Sequence, residues 1–193
     1  MAYAQQTQSR YTPQAYLQME RSATTRSEYV NGEIFAMSGA SRHHNRLTSG
    51  IVRELGVQMK GRECNVYVSD LRVKVSDSGM YTYPDIVVVC GEEKFEEPEL
   101  DTLLNPTVII EVLSPFTERY DRGGKFAHYR RLPSLAEYLL VSQEAVHVEH
   151  YTRQTDGDWL FSEASGRQAV IDLPTIGCRL ALAEVYDKTN LLV

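Results

Sequence analysis

Two short apolar runs constrain this chain more than any other feature, because each carries one carboxylate. Tyr83-Pro84-Asp85-Ile86-Val87-Val88-Val89-Cys90 and Thr107-Val108-Ile109-Ile110-Glu111-Val112-Leu113 are rich in β-branched residues and almost continuous in hydrophobicity. That is the pattern of central strands covered on both faces. Burying an unpaired carboxylate in such a strand is expensive. One acid near a strand end is ordinarily solvated or ion-paired, but two in strands that can be neighbours point to a shared cation. If the strands adjoin, Asp85 and Glu111 reach one point at the sheet edge, and a divalent ion there removes their repulsion. Oxygen donors suit Mg²⁺ or Mn²⁺ rather than zinc.

The flanking pattern builds a mixed α/β or α+β sandwich around these strands. Thr12-Pro13 is a capping residue followed by Pro, the favoured start of a helix, which Leu17 and Met19 are expected to anchor. Asn31-Gly32 between Glu28-Tyr29-Val30 and Ile34-Phe35 is a hairpin signal. Leu47, Ile51, Leu55 and Met59 recur at i+4 and predict a helix over 43–60. One strand is expected over 65–75, an acidic loop over 91–105, and a helix over 121–132 closed by Pro133, with Gly123-Gly124 weakening its first turn. That helix can cross over to set the strand 137–141 parallel to the Glu111 strand. Strands at 145–152, 159–161, 169–173 and 180–185 finish the chain. The 193 residues suit one domain, 1–193, with 1–11 as a flexible tail.

No apolar run approaches the ~18 residues of a membrane span. Cys64, Cys90 and Cys178 form no C-x-x-C pair, so neither a zinc site nor a disulfide framework is indicated, and the expected location is a reducing cytoplasm. A net charge of −6 speaks against a generic nucleic-acid coat protein. It leaves room for a locally basic cleft, and bound cations offset clustered carboxylates.

Lys125 follows one short loop after the Glu111 strand, and a helix starting there aims it back at the carboxylates. Such a lysine orients water or stabilises charge developing on a phosphate. The competing assignment is an exposed helix lysine paired with Asp121 at i+4. Gly123-Gly124-Lys125-Phe126 is not a nucleotide loop, because Arg119 stands where Gly is needed and Phe126 where Ser or Thr is needed.

The order Pro84-Asp85, Glu111-Val112-Leu113, Lys125 resembles the PD-(D/E)XK nuclease motif. More closely it resembles the Uma-two family of restriction-endonuclease-like proteins. The stretches that carry the resemblance include Tyr29-Val30-Asn31-Gly32-Glu33-Ile34, His44-Asn45, Ser69-Asp70-Leu71-Arg72-Val73, Ile109-Ile110-Glu111-Val112-Leu113-Ser114-Pro115 and Glu137-Tyr138-Leu139-Leu140-Val141. The resemblance implies a PD-(D/E)XK core: a mixed central sheet flanked by helices, here with extra β-hairpins at both ends. It implies Mg²⁺- or Mn²⁺-dependent hydrolysis of phosphodiester bonds in DNA, with Asp85, Glu111 and the Val112 carbonyl on the metal. The third motif position, usually Lys, is Leu113, and Lys125 on the next helix takes its place. His44, Glu33 and Asp70 are accessory candidates, although a merely solvated His44 at a helix start is the more ordinary reading. Arg42, Arg46, Arg72, Lys74, Arg122 and Arg130 are candidates for the cleft rim. A homodimer is expected, since two-fold symmetry addresses two strands. The competing function is a catalytically silent binding or assembly module that keeps the fold, with Glu111 paired to a local Arg or Lys and no metal affinity.

Overall fold

The computed structural model describes residues 10–75, 79–97 and 100–191. The expected tail, 1–11, lies mostly outside the described residues. The elements run α1 (Pro13–Ser22), β1 (Ser27–Val30), β2 (Glu33–Ala36), α2 (Arg42–Gln58), β3 (Cys64–Val68), β4 (Arg72–Val75), β5 (Met80–Thr82), β6 (Ile86–Cys90), β7 (Phe95–Glu97), β8 (Leu100–Leu103) and β9 (Val108–Val112). There follow α3 (Glu118–Tyr120), a π-helical turn (Asp121–Lys125), α4 (Phe126–Tyr129), β10 (Glu137–Val141), β11 (His147–Arg153), β12 (Trp159–Ser165), β13 (Val170–Leu173), β14 (Cys178–Ala181) and α5 (Leu182–Val185).

The central sheet has the order β12-β11-β10-β9-β6-β3. It is antiparallel except for β9 and β10, which run parallel as the helical crossover requires. A second sheet, β2-β1-β5-β4-β8-β7, takes β1 and β2 from ahead of the central strands and β4, β5, β7 and β8 from excursions between them, and β13–β14 form a separate hairpin. Both buried runs become strands, and they are neighbours. Strict alternation along β9 then divides its side chains. Val108, Ile110 and Val112 face α2, whose Leu47, Ile51 and Leu55 are fully buried there with Leu180, Leu182 and Val185. Ile109 and Leu113 face the other way, into a core shared with Val73, Met80 and Leu103 of the second sheet and with Tyr129, Leu132 and Leu135. Glu111 has the same parity as Ile109 and Leu113, so it points into the seam between the two sheets.

Several expectations change. The strand over 65–75 is two strands in different sheets, because the chain turns at Ser69–Leu71, where Ser69 N donates to the Asp85 carbonyl. The acidic loop contains β7 and β8, whose backbones extend the second sheet. The helix expected at 121 starts at Glu118, because Ser114 caps the turn: its Oγ accepts from Thr117 N and its carbonyl from Glu118 N. In α1 the buried residues are Tyr16 and Glu20, while Met19 is exposed. Thr12 does cap that helix, accepting from Ala15 N, and Asn31-Gly32 makes the hairpin turn with φ of 51° and 97°. Cys64 and Cys90, expected to be unpaired, stand opposite each other in the β3–β6 ladder and form a disulfide, so cysteine usage no longer argues for a reducing compartment. Among the described residues no helix is long and apolar enough to cross a membrane.

Candidate functional site

Asp85 and Glu111 meet where β6 and β9 part. The ladder ends at the pair Ile86–Ile110, and the two acids are the next residues on either strand. Each carboxylate takes up a backbone N–H of the other segment. Val112 N donates to Asp85 Oδ2 at 2.7 Å, and Asp85 N donates to Glu111 Oε2 at 3.2 Å. These charge-assisted bonds replace ladder bonds lost at the strand ends and fix both side chains.

Lys125 enters from the π-helical turn. Its Nζ lies 3.1 Å from Glu111 Oε1, 3.2 Å from Glu28 Oε1 and 3.5 Å from Asp121 Oδ1. The lysine is buried, so the competing assignment of an exposed pair with Asp121 gives way to a buried cluster of which Asp121 is one side. Tyr129 OH donates to Glu111 Oε1 at 2.9 Å and lies 3.2 Å from Thr82 Oγ1, and that hydroxyl also bonds Glu28. From the opposite side His44 Nε2 is 3.0 Å from Asp85 Oδ2. If Nε2 carries the proton it donates to Asp85. His44 Nδ1 is then a buried lone pair without a hydrogen-bond partner among the described residues.

Four carboxylates, on Glu28, Asp85, Glu111 and Asp121, therefore share one ammonium and one imidazole. Burial pushes the Glu111 carboxyl up to about 8; Lys125 pulls it down, while Asp85, Asp121 and Glu28 push it further up. Burial likewise raises Asp121, against the pull of Lys125. For Lys125 burial works against the charged form, but the three carboxylates outweigh it and hold the ammonium well above its ordinary range. The Tyr129 hydroxyl is raised by burial and then by Glu111 and Glu28.

Of the sequence candidates, Asp85, Glu111, Lys125 and His44 come together, with the Val112 backbone beside them. Glu33 is exposed on β2, and the Asp70 carboxylate is 82% exposed and pairs with Arg26 at 3.6 Å, so neither joins the cluster. Among the rim candidates, Arg72 is buried, bonded to Thr102 and Tyr83. Lys74 is tied to Glu96 and Arg122 to Glu118 and Glu149. Arg42 and Arg130 are exposed. Sequence reasoning misses Glu28 and Tyr129. A lone acid in a four-residue hairpin strand carries no signal. The sequence aims Lys125 at the carboxylates, but nothing local shows that Asp121 and Tyr129, four residues to either side, share its face and join the cluster.

A family model described as "Uma2: Putative restriction endonuclease" matches residues 13–183. The chain belongs to the Uma2 family. It is 41% identical over 161 residues to the uncharacterized protein sll1609 of Synechocystis, covering 83% of this chain and 91% of that one. It is 36% identical over 177 residues to slr1290 of the same organism, covering 91% and 90%. A crystal structure titled as a "putative nuclease belonging to DUF820" from Anabaena variabilis aligns over 91% of this chain and 97% of its own, with a TM-score of 0.75 and 20% identity. That likeness shows the restriction-endonuclease-like fold.

The cluster also fits the divalent ion common in such folds. Its carboxylates outnumber its cations, and the most buried of them is forced toward its protonated form, which an added positive charge relieves. Among the described residues no three His, Cys, Asp or Glu side chains close around one point. An ion here would be held by Asp85 and Glu111 and would draw its other ligands from backbone, water or phosphate, the habit of Mg²⁺ rather than of zinc.

Proposed function

We propose that this Uma2 protein is an endonuclease that hydrolyses phosphodiester bonds in DNA with Mg²⁺ or Mn²⁺. The observation that carries the proposal is the Lys125 ammonium 3.1 Å from Glu111, at the strand ends where Asp85 and Glu111 cap one another. It supports a PD-(D/E)XK site whose lysine has moved to the following helix. Asp85, Glu111 and the Val112 carbonyl would hold the ion. When bound, the ion supplies Lewis-acid polarisation of the phosphate and a more acidic water. The residues of the chain do the rest. Val112 N–H and His44 hold Asp85 in one rotamer, and Asp85 N–H and Tyr129 do the same for Glu111. Glu28 and Asp121 keep Lys125 charged beside the scissile group, where its ammonium stabilises developing negative charge and orients the attacking water. Two copies related by a two-fold axis address the two strands of a duplex, and light scattering is expected to show the dimer mass.

The silent-module alternative predicts Glu111 paired with a cation and no metal uptake, and Lys125 satisfies its first half. Calorimetry separates the two. Wild type is expected to bind Mg²⁺ or Mn²⁺, Glu111→Ala to lose that binding, and plasmid nicking to disappear with it. A wild type that takes up neither ion, even with DNA present, sinks the nuclease reading.

A further inference from the structure

A second surface flanks the same helical run. Lys125 and Tyr129 turn inward to Glu111, whereas Phe126 and Arg130, four apart on the next face, turn toward β11 and β12. There Phe126, Arg130, Arg131, Tyr151 and Trp159 line an open groove of about 610 Å³. Its floor is aromatic. Phe126 stacks on Tyr138 at 5.3 Å and meets Tyr151 at 4.5 Å and the edge of Trp159 at 5.2 Å. The indole is fixed by Arg153, whose guanidinium sits 4.7 Å over its ring and is anchored on the Arg130, Leu132 and Leu135 carbonyls. The walls are basic. Arg130 and Arg131 are exposed, and neither makes an ion pair with a described residue, on a chain whose net charge is −6. Asp158 is the one acid lining the groove.

Half-exposed rings fixed in place beside unpaired guanidinium groups are the components of a single-strand track: the rings stack bases and the cations follow phosphates. Resting on the nuclease reading, we propose that this groove binds a single-stranded stretch of the nucleic acid next to the cleavage site, with bases on Trp159 and Tyr151 and phosphates on Arg130 and Arg131. The groove and the site are carried by one helical run, in which Phe126 follows Lys125 and faces β11 and β12 while Lys125 faces Glu111. The acidic cluster repels phosphates when no ion is bound, so a separate basic track gives the substrate a hold that does not need the metal.

Trp159 is the only tryptophan in the chain, so its fluorescence reports on this groove alone. The test is a titration with oligothymidylate about 20 nucleotides long, a length that exceeds the site size of common single-strand folds, in EDTA, with fluorescence and labelled-DNA anisotropy read together. Quenching is expected for the single strand and much less for a duplex of equal length. The exposed double variant Arg130→Ala/Arg131→Ala is expected to bind at least about 10-fold more weakly, with the slope of log K against log salt shallower by about 1.4 for two lost phosphate contacts. Glu111→Gln is expected to keep the quenching. The proposal is overturned by anisotropic binding without a Trp159 response, by an arginine variant that binds like wild type, by equal quenching with polyglutamate, or by no DNA binding at all. Plasmid nicking assayed in parallel keeps the two readings apart. Quenching without nicking indicts the metal site, and nicking without quenching indicts the groove.

Discussion

Glu111 is a carboxyl hemmed in by more negative charge than positive, and its proton is the quantity to follow among single residues. In the folded chain it is held up to about 8, against an ordinary value of 4.5. The unfolded chain releases that proton near 4.5, so between these values the folded state binds more protons than the unfolded one. Stability from this group is therefore complete below 4.5 and is lost as pH rises toward 8. A tenfold change in proton affinity is worth about 1.4 kcal/mol, so the loss is on the order of a few kcal/mol. The thermal midpoint of the metal-free protein is expected to fall from about pH 5 to about pH 8 by more in wild type than in Glu111→Gln, which lacks the proton; parallel curves would refute this. Mg²⁺ binding below about pH 8 is expected to release up to about one proton, seen calorimetrically as a dependence of the heat on buffer ionisation enthalpy. Asp85 and Glu111 are legible in the sequence because a charge in an apolar run contradicts its surroundings. Glu28 contradicts nothing around it. Only the pairing of β1 with β5 brings it to Lys125, and that pairing has no local signature.

Among the elements, the π-helical turn is the least expected and the most consequential. Gly123-Gly124 weakens α-helix formation, as the sequence suggests, but the segment widens instead of ending, and the widened turn delivers Asp121 and Lys125 into the cluster. Gly124 has an identifiable reason. A Cβ there would lie 2.4 Å from the Tyr120 ring. Tyr120 is 37% exposed and can swing away, so Gly124→Ala is expected to cost stability only while Tyr120 is present. In a Tyr120→Ala background the same change is expected to gain up to about 1 kcal/mol from helix propensity. A double-mutant cycle read by urea unfolding measures that coupling, and an additive pair would mean that the glycine serves the backbone and not the ring. The central strands and the Asn31-Gly32 turn are readable because each is specified within its own few residues. The turn at 121–125 is not, because its register is fixed by what Lys125 meets across the sheet seam.

For the whole molecule, two sheets share one core, and the cluster sits in their seam. The second sheet joins the N-terminal β1–β2 hairpin to excursions between central strands, with the parallel pair β4–β8 closing over intervening strands. Such non-local pairing escapes a reading that moves along the chain. The far side is closed by β13, β14 and α5 packed on α2, and here the approach of backbones is the controlling feature. A Cβ on Gly50 would stand 2.9 Å from the Val185 carbonyl oxygen and 3.6 Å from that of Glu184. Neither is a side chain that can rotate out of the way, so Gly50→Ala must push α5 off α2. A loss of about 1–3 kcal/mol is expected, as for overpacking elsewhere. Amide exchange locates the effect: faster exchange in β13, β14 and α5, with β6 and β9 retaining wild-type protection. Mg²⁺ affinity is expected to survive, because Asp85 and Glu111 are held by backbone N–H groups at the ends of the central strands and not by this cap. Unchanged exchange in the cap would show that the contact is slack. Loss of Mg²⁺ affinity would show that α2 transmits the displacement through His44 to Asp85, making the C-terminal cap part of the site's support.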